Sequence, residues 1–223
     1  MAMAGPWAMT MGIEADRLRL AQLLSPAFPI GAFAHSQGLE AAIVAQQVTD
    51  EASLRDWVEA VILHGSGRMD AIFLIAARAP DADLPALADL ARAYMPSQGR
   101  AREAEELGRA FGVQMAAMTG EEPPLLPLPL AVGLATRGLA VADAEVLALW
   151  LQGLAAQLIS VAVRFVPLGQ SAGQRLLSGL APLIVQAAAD YARLGPDDLG
   201  SCTLGADIAS MLQETLEVRI FRS

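Results

Sequence analysis

Lysine and asparagine are absent from all 223 residues of the sequence. A phosphate-binding loop of the GxxxxGK[ST] kind needs its lysine, so that nucleotide site is excluded. A lysine Schiff base is excluded with it, and without asparagine there is no N-glycosylation acceptor. Cysteine occurs once, at Cys202, and histidine twice, at His35 and His64. Those three side chains fall short of the four ligands of a closed zinc site. A lone cysteine forms no internal disulfide, which fits a reducing cytoplasm. Aromatic residues make up only 5% of the chain, which weighs against a strand-rich fold.

What is present is apolar and acidic. Hydrophobic residues reach 54% and are dominated by alanine and leucine, both strong helix formers. The expected fold is an all-α single domain, a bundle of eight to ten helices over residues 16–223. The net charge is −9, from 15 arginines against 24 acidic residues. Such a surface repels phosphate backbones and disfavours a nucleic-acid partner. Residues 1–15 read as a disordered arm with no basic residue before Glu14; Met9 and Met11 are alternative starts.

Apolar residues at helical spacing place helices at Asp16–Leu24, Gly31–Gln46, Ser53–His64, Met69–Ala79 and Leu84–Tyr94. Ser53 is the expected cap of the third, and Ser97 of a further helix carrying Leu107, Phe111, Met115 and Met118. The segment Glu121–Pro129 holds four prolines and reads as a linker-like loop, at most a hinge. Asp143 is the expected cap of a helix with no charged residue from Val146 to Val163. An apolar run of that length tempts a transmembrane reading. Gln152, Gln157 and Ser160 favour a central helix covered on all sides instead. Ser171–Arg193, with a kink or restart at Pro182, and Ala206–Leu216 complete the set.

Few residues suggest chemistry. Ser66 sits in His-Gly-Ser-Gly but lacks the glycine spacing of a hydrolase elbow. Gly108 and Gly112 stand four apart among charges, which points to close packing in a soluble core. The two histidines are the imidazoles a nickel ion would choose, yet each stands alone and reads as structural. Cys202 reads as a small buried or half-buried residue. Carboxylates such as Glu103 and Glu106 are the candidates for an alternative reading as a small all-α enzyme; a membrane-associated bundle is the other.

Three segments, in order, resemble one family: SPAFPIGAFAHSQGLE at 25–40, VRFVPLGQSAGQRLL at 163–177 and ASMLQETLEVRIFRS at 209–223. With a weaker match at 106–115, the chain resembles the UreF family of urease accessory proteins. The resemblance implies an all-α, dimerising, cytoplasmic protein without catalytic site, metal or cofactor of its own. Its implied partners are the UreD (UreH) accessory protein, the UreG GTPase and apo-urease, in a complex that inserts nickel. The implied partner-binding residues are Phe33, His35, Gln37, Glu40, Arg219, Phe221 and Arg222. The family's last helix commonly carries a histidine and a tyrosine where this chain has Gln213 and the Glu217–Val218 pair, so no role of theirs carries over. Residues 217–223 are expected to be mobile until a partner orders them, so that removing 219–223 leaves stability almost unchanged.

Overall fold

A computed structural model describes residues 12–31 and 34–223. Within them lie ten α-helices and no strand. In chain order they are α1 Ile13–Leu23, α2 Leu39–Val44, α3 Glu51–His64, α4 Ser66–Arg78, α5 Leu84–Ala93, α6 Gln98–Thr119, α7 Leu128–Thr136, α8 Asp143–Ala162, α9 Gln170–Tyr191 and α10 Leu204–Gln213. The all-α expectation holds. Of the arm expected over 1–15, residues 13–15 already belong to α1, and 1–11 lie outside the described residues.

The core forms around α8, which packs on α9, α3, α2 and α4. Val146, Leu147, Leu151, Ala155 and Leu158 of α8 are fully buried and repeat at helical spacing. The helix is not covered on every side, as the sequence suggested. Leu149 is 39% exposed, and Trp150, Gln152, Gly153 and Ala156 are only half-buried. By length and composition both α8 and the joined α3–α4 stretch are apolar enough to cross a membrane, but half or more of each is buried inside the bundle.

Local chemistry sets the helix ends. Asp50, not Ser53, caps α3: its side chain accepts from Ser53 N at 2.8 Å, and Ser53 Oγ accepts from Asp50 N at 3.1 Å. Ser97 caps α6 as expected. Asp143 does not cap α8. It is the first helical residue and accepts from Arg78 Nε at 2.7 Å. The same guanidinium donates to the carbonyls of Thr136 and Val141, closing the end of α7 against the start of α8. Pro182 neither stops nor restarts α9. It removes one hydrogen bond, to the Ser178 carbonyl, and both residues lie on the exposed face, where that carbonyl is open to solvent.

The proline segment is not a hinge. Leu126 and Leu128 are buried, and α7, absent from the sequence reading, starts at Leu128 with Pro129 in its first turn, where proline is tolerated. The segment presses on α6 so closely that a Cβ at Gly108 would stand 1.9 Å from the Leu126 carbonyl oxygen. The expected helix at 31–46 shortens to α2, because Gln37 and Gly38 adopt left-handed φ of 53° and 86°.

Candidate functional site

The segment 34–38, the start of α2 and the last four residues of the chain form one structure. Glu40, 3% exposed, supplies the centre. Its Oε1 accepts from Ile220 N at 2.9 Å, and its Oε2 from Phe221 N at 3.1 Å and Gln213 Nε2 at 2.7 Å. Gln213 Oε1 in turn accepts from Ala41 N at 3.0 Å. One amide thus ties α10 to both the main chain of α2 and the glutamate that holds the tail.

Three further main-chain hydrogen bonds continue the pairing. Arg222 N donates to the Ala34 carbonyl at 2.9 Å, and Ser36 N and Gln37 N converge on the Ser223 main-chain oxygen at 2.5 and 2.9 Å. Ser36 Oγ donates to the same oxygen at 2.6 Å. The left-handed turn at Gln37–Gly38 follows these donors and brings α2 under α10. A Cβ on Gly38 would lie 2.5 Å from Ser210 N, so only glycine fits.

Below the tail lies a buried polar chain. Ser223 Oγ donates to Glu103. Its single proton being spent there, it accepts from His35, whose Nδ1 stands 2.9 Å away. Gln157 Nε2 of α8 donates to the His35 carbonyl at 2.9 Å. Ser66 Oγ donates to Gln37 Oε1, and Gln37 Nε2 reaches Glu103 at 3.4 Å. Burial lowers the His35 imidazole below its ordinary value, opposed by Glu103 and assisted by Arg100 and Arg222. Burial pushes the Glu103 carboxyl up, but Arg100, His35 and the hydrogen bonds from Arg100 and Ser223 outweigh it and hold the carboxyl low. The resulting pair is a neutral imidazole beside a carboxylate.

Phe221, 3% exposed, anchors the tail apolarly. Its ring lies 5.8 Å from Phe165, with the Arg164 guanidinium 5.7 Å above it. Both partners belong to the 163–177 block, so all three family-like segments meet at the tail. The structure thus shows a seat for the tail within the chain itself, beside the expectation that a partner orders it. Its hydrogen-bond partners lie 120 to 188 residues away in sequence, which is why the sequence shows no support for the tail.

Of the residues the resemblance implied, His35, Gln37, Glu40, Phe221 and Arg222 come together here. Arg222 reaches Glu106 at 3.5 Å with both side chains largely exposed, and Arg219 is exposed. Phe33 lies outside the described residues. Sequence reasoning missed Gln213, Ser223 and Gln157; the last was signalled by its polarity inside an uncharged helix. Cys202 is exposed, not buried or half-buried. The candidate carboxylate Glu103 is bound up in ion pairs, with Arg100 Nη1 2.5 Å away. Among the described residues no three His, Cys, Asp or Glu side chains group closely enough to hold a metal.

The fold and the seat define an all-helical protein that presents its own C-terminal segment on a platform of helices. A model of the UreF family matches residues 48–181. A urease accessory protein UreF of Cereibacter sphaeroides is 52% identical over 212 residues, which is 95% of this chain and 100% of the relative. The protein of the same name from Paracoccus denitrificans is 49% identical over 96% of this chain and 99% of its own length. That from Jannaschia is 43% identical over 97% and 98%. The chain belongs to the UreF family of urease accessory proteins.

Proposed function

We propose that the chain is a scaffold and regulator, without a catalytic site of its own, in the complex that inserts nickel into apo-urease. UreD (UreH) docks on it, the UreG GTPase is controlled through it, and nickel and GTP are handled by those partners. The assembly is cytoplasmic and built on a homodimer of this chain. The observation that carries this reading is the outer face of α10 and the tail. Leu204, Ile208, Met211 and Leu212 are 72%, 45%, 50% and 52% exposed, and Val218 and Ile220 continue the stripe. An apolar patch of that extent, flanked by the exposed Arg219 and Arg222 side chains, has the composition of a protein-binding surface. The firm seat of the tail supports the reading, because it presents the stripe in a fixed shape and lowers the entropy lost on docking.

The test is a Met211→Asp/Leu212→Asp double variant, used as bait in urease-producing cells and assayed for urease activation. Both side chains are half exposed, so the helix content stays unchanged. Loss of the accessory partners and of activation is expected. Normal recruitment and activation would place the docking surface elsewhere.

A further inference from the structure

Away from the tail stripe, a cavity of about 340 Å³ opens between the end of α1, α6, the start of α7 and the half-exposed face of α8. Its size falls in the range of small-ligand pockets. Leu24, Ile30, Leu107, Leu128 and Trp150 wall it. Its polar lining includes Gln37, Asp70, Arg100, Glu103 and Gln157. Ala21, Pro26 and Leu149 line it too and are exposed, so the cavity reaches solvent.

The charges in it do not balance. Arg100 lies 2.5 Å from Glu103, which also takes the Ser223 hydroxyl. Asp70 is left over. It is 6% exposed, accepts no hydrogen bond among the described residues, and meets only Arg100 Nη2, at 3.9 Å. A buried carboxylate in that position is costly, and burial pushes its carboxyl up to about 7, against the pull of Arg100. Once Asp70 is ionised, two carboxylates against one guanidinium leave the lining one positive charge short.

We infer that this cavity binds a small aliphatic amine in its ammonium form, the apolar stem lying along Leu24, Leu107 and Leu128 and the head reaching Asp70. An anion meets the excess carboxylate, and an uncharged alcohol leaves Asp70 uncompensated.

Isothermal titration of the purified full chain with n-hexylammonium, n-hexanol, hexanoate and hexanamide tests this. Hexylammonium binds at least about tenfold tighter than the other three, the factor corresponding to about 1.4 kcal/mol. Asp70→Asn removes that preference. Ala156→Phe, which fills the cavity from its wall and leaves Asp70 in place, abolishes binding with the helical circular dichroism unchanged. Equal binding of all four ligands, a preference for hexanamide or hexanoate, or undiminished hexylammonium binding by Asp70→Asn would overturn the assignment.

Discussion

The Glu40 carboxylate accepts the main-chain N–H of Phe221 at 3.1 Å across 181 residues of sequence. The same carboxylate binds Ile220 N and the Gln213 amide, so one side chain holds both α10 and the tail. Hydrogen bonds to a charged group contribute roughly 1.5–3 kcal/mol each. Glu40→Ala is expected to release the tail locally, with amide hydrogen exchange at Ile220 and Phe221 rising at least tenfold while α8 keeps its protection. Unchanged exchange at those two amides would show that Phe221 burial alone holds the tail.

The helices were legible wherever local sequence decides them. The apolar spacing of α3, α6 and α8 and the Ser97 cap needed no tertiary knowledge. Errors arose where a distant group chose between local options. Asp143 looks like a cap until Arg78 claims it. Ser53 and Asp50 are both good caps, and the geometry of the turn decides. The stretch at 31–46 has helical spacing, yet the donors at Ser36 and Gln37 turn toward Ser223. Cys202 gave no signal of exposure, because its setting depends on how the 199–203 loop crosses the end of α3, where Cys202 N donates to the His64 carbonyl. Part of the candidate site was legible as family-like blocks. Its geometry was not, because every partner of the tail is far away in sequence.

Stability should depend on pH through Asp70. Its carboxyl is raised from 3.8 in the unfolded chain to about 7 in the fold. The folded state therefore holds the proton more tightly. The stabilising contribution is full below about pH 4 and is lost as pH rises to about 7. Arg100 and Glu103 on α6 face this group, and His35 lies beyond Glu103. Asp70→Asn removes the titration while leaving Arg100 paired with Glu103. Urea unfolding should find the variant more stable than the parent by a few kcal/mol at pH 8, at about 1.4 kcal/mol per pKa unit, and equal to it near pH 4. A parent that is the more stable at pH 8 would contradict the burial argument.

Two glycines on α6 separate close packing from helix propensity. A Cβ at Gly108 meets the Leu126 carbonyl at 1.9 Å, while one at Gly112 meets only Pro123 Cγ at 3.4 Å. Gly108→Ala must push the 126–128 segment off α6 and should destabilise by about 1–3 kcal/mol or more. Gly112→Ala should be neutral or stabilising by up to about 1 kcal/mol, since glycine is the poorer helix former. Thermal unfolding of the pair checks the contrast. Equal losses would mean that the proline segment is as loose as its sequence suggests.

Removing residues 219–223 tests the tail as part of the fold. Ordering the segment costs roughly 1–2 kcal/mol per residue in backbone entropy. Burial of the Phe221 side chain returns about 1.5–3 kcal/mol, and the hydrogen bonds to Glu40, Ala34, Ser36 and Gln37 return the rest. These terms nearly offset each other before the buried groups beneath the tail are counted. The larger effect of deletion is on what remains: Glu40, His35, Ser36 and Glu103 are buried at 3%, 3%, 0% and 5% exposure, and each loses a partner. A buried polar group left unsatisfied costs about 1–3 kcal/mol, less where water enters. The truncated chain should therefore lose a few kcal/mol of stability in urea unfolding, contrary to the reading from sequence alone. Phe221→Ala should reproduce much of that loss. Arg219→Ala/Arg222→Ala removes only exposed side chains and should change stability by less than about 0.5 kcal/mol while weakening partner recruitment. A truncation without effect on unfolding would show that the seat is empty in solution and that the tail is ordered only by a partner.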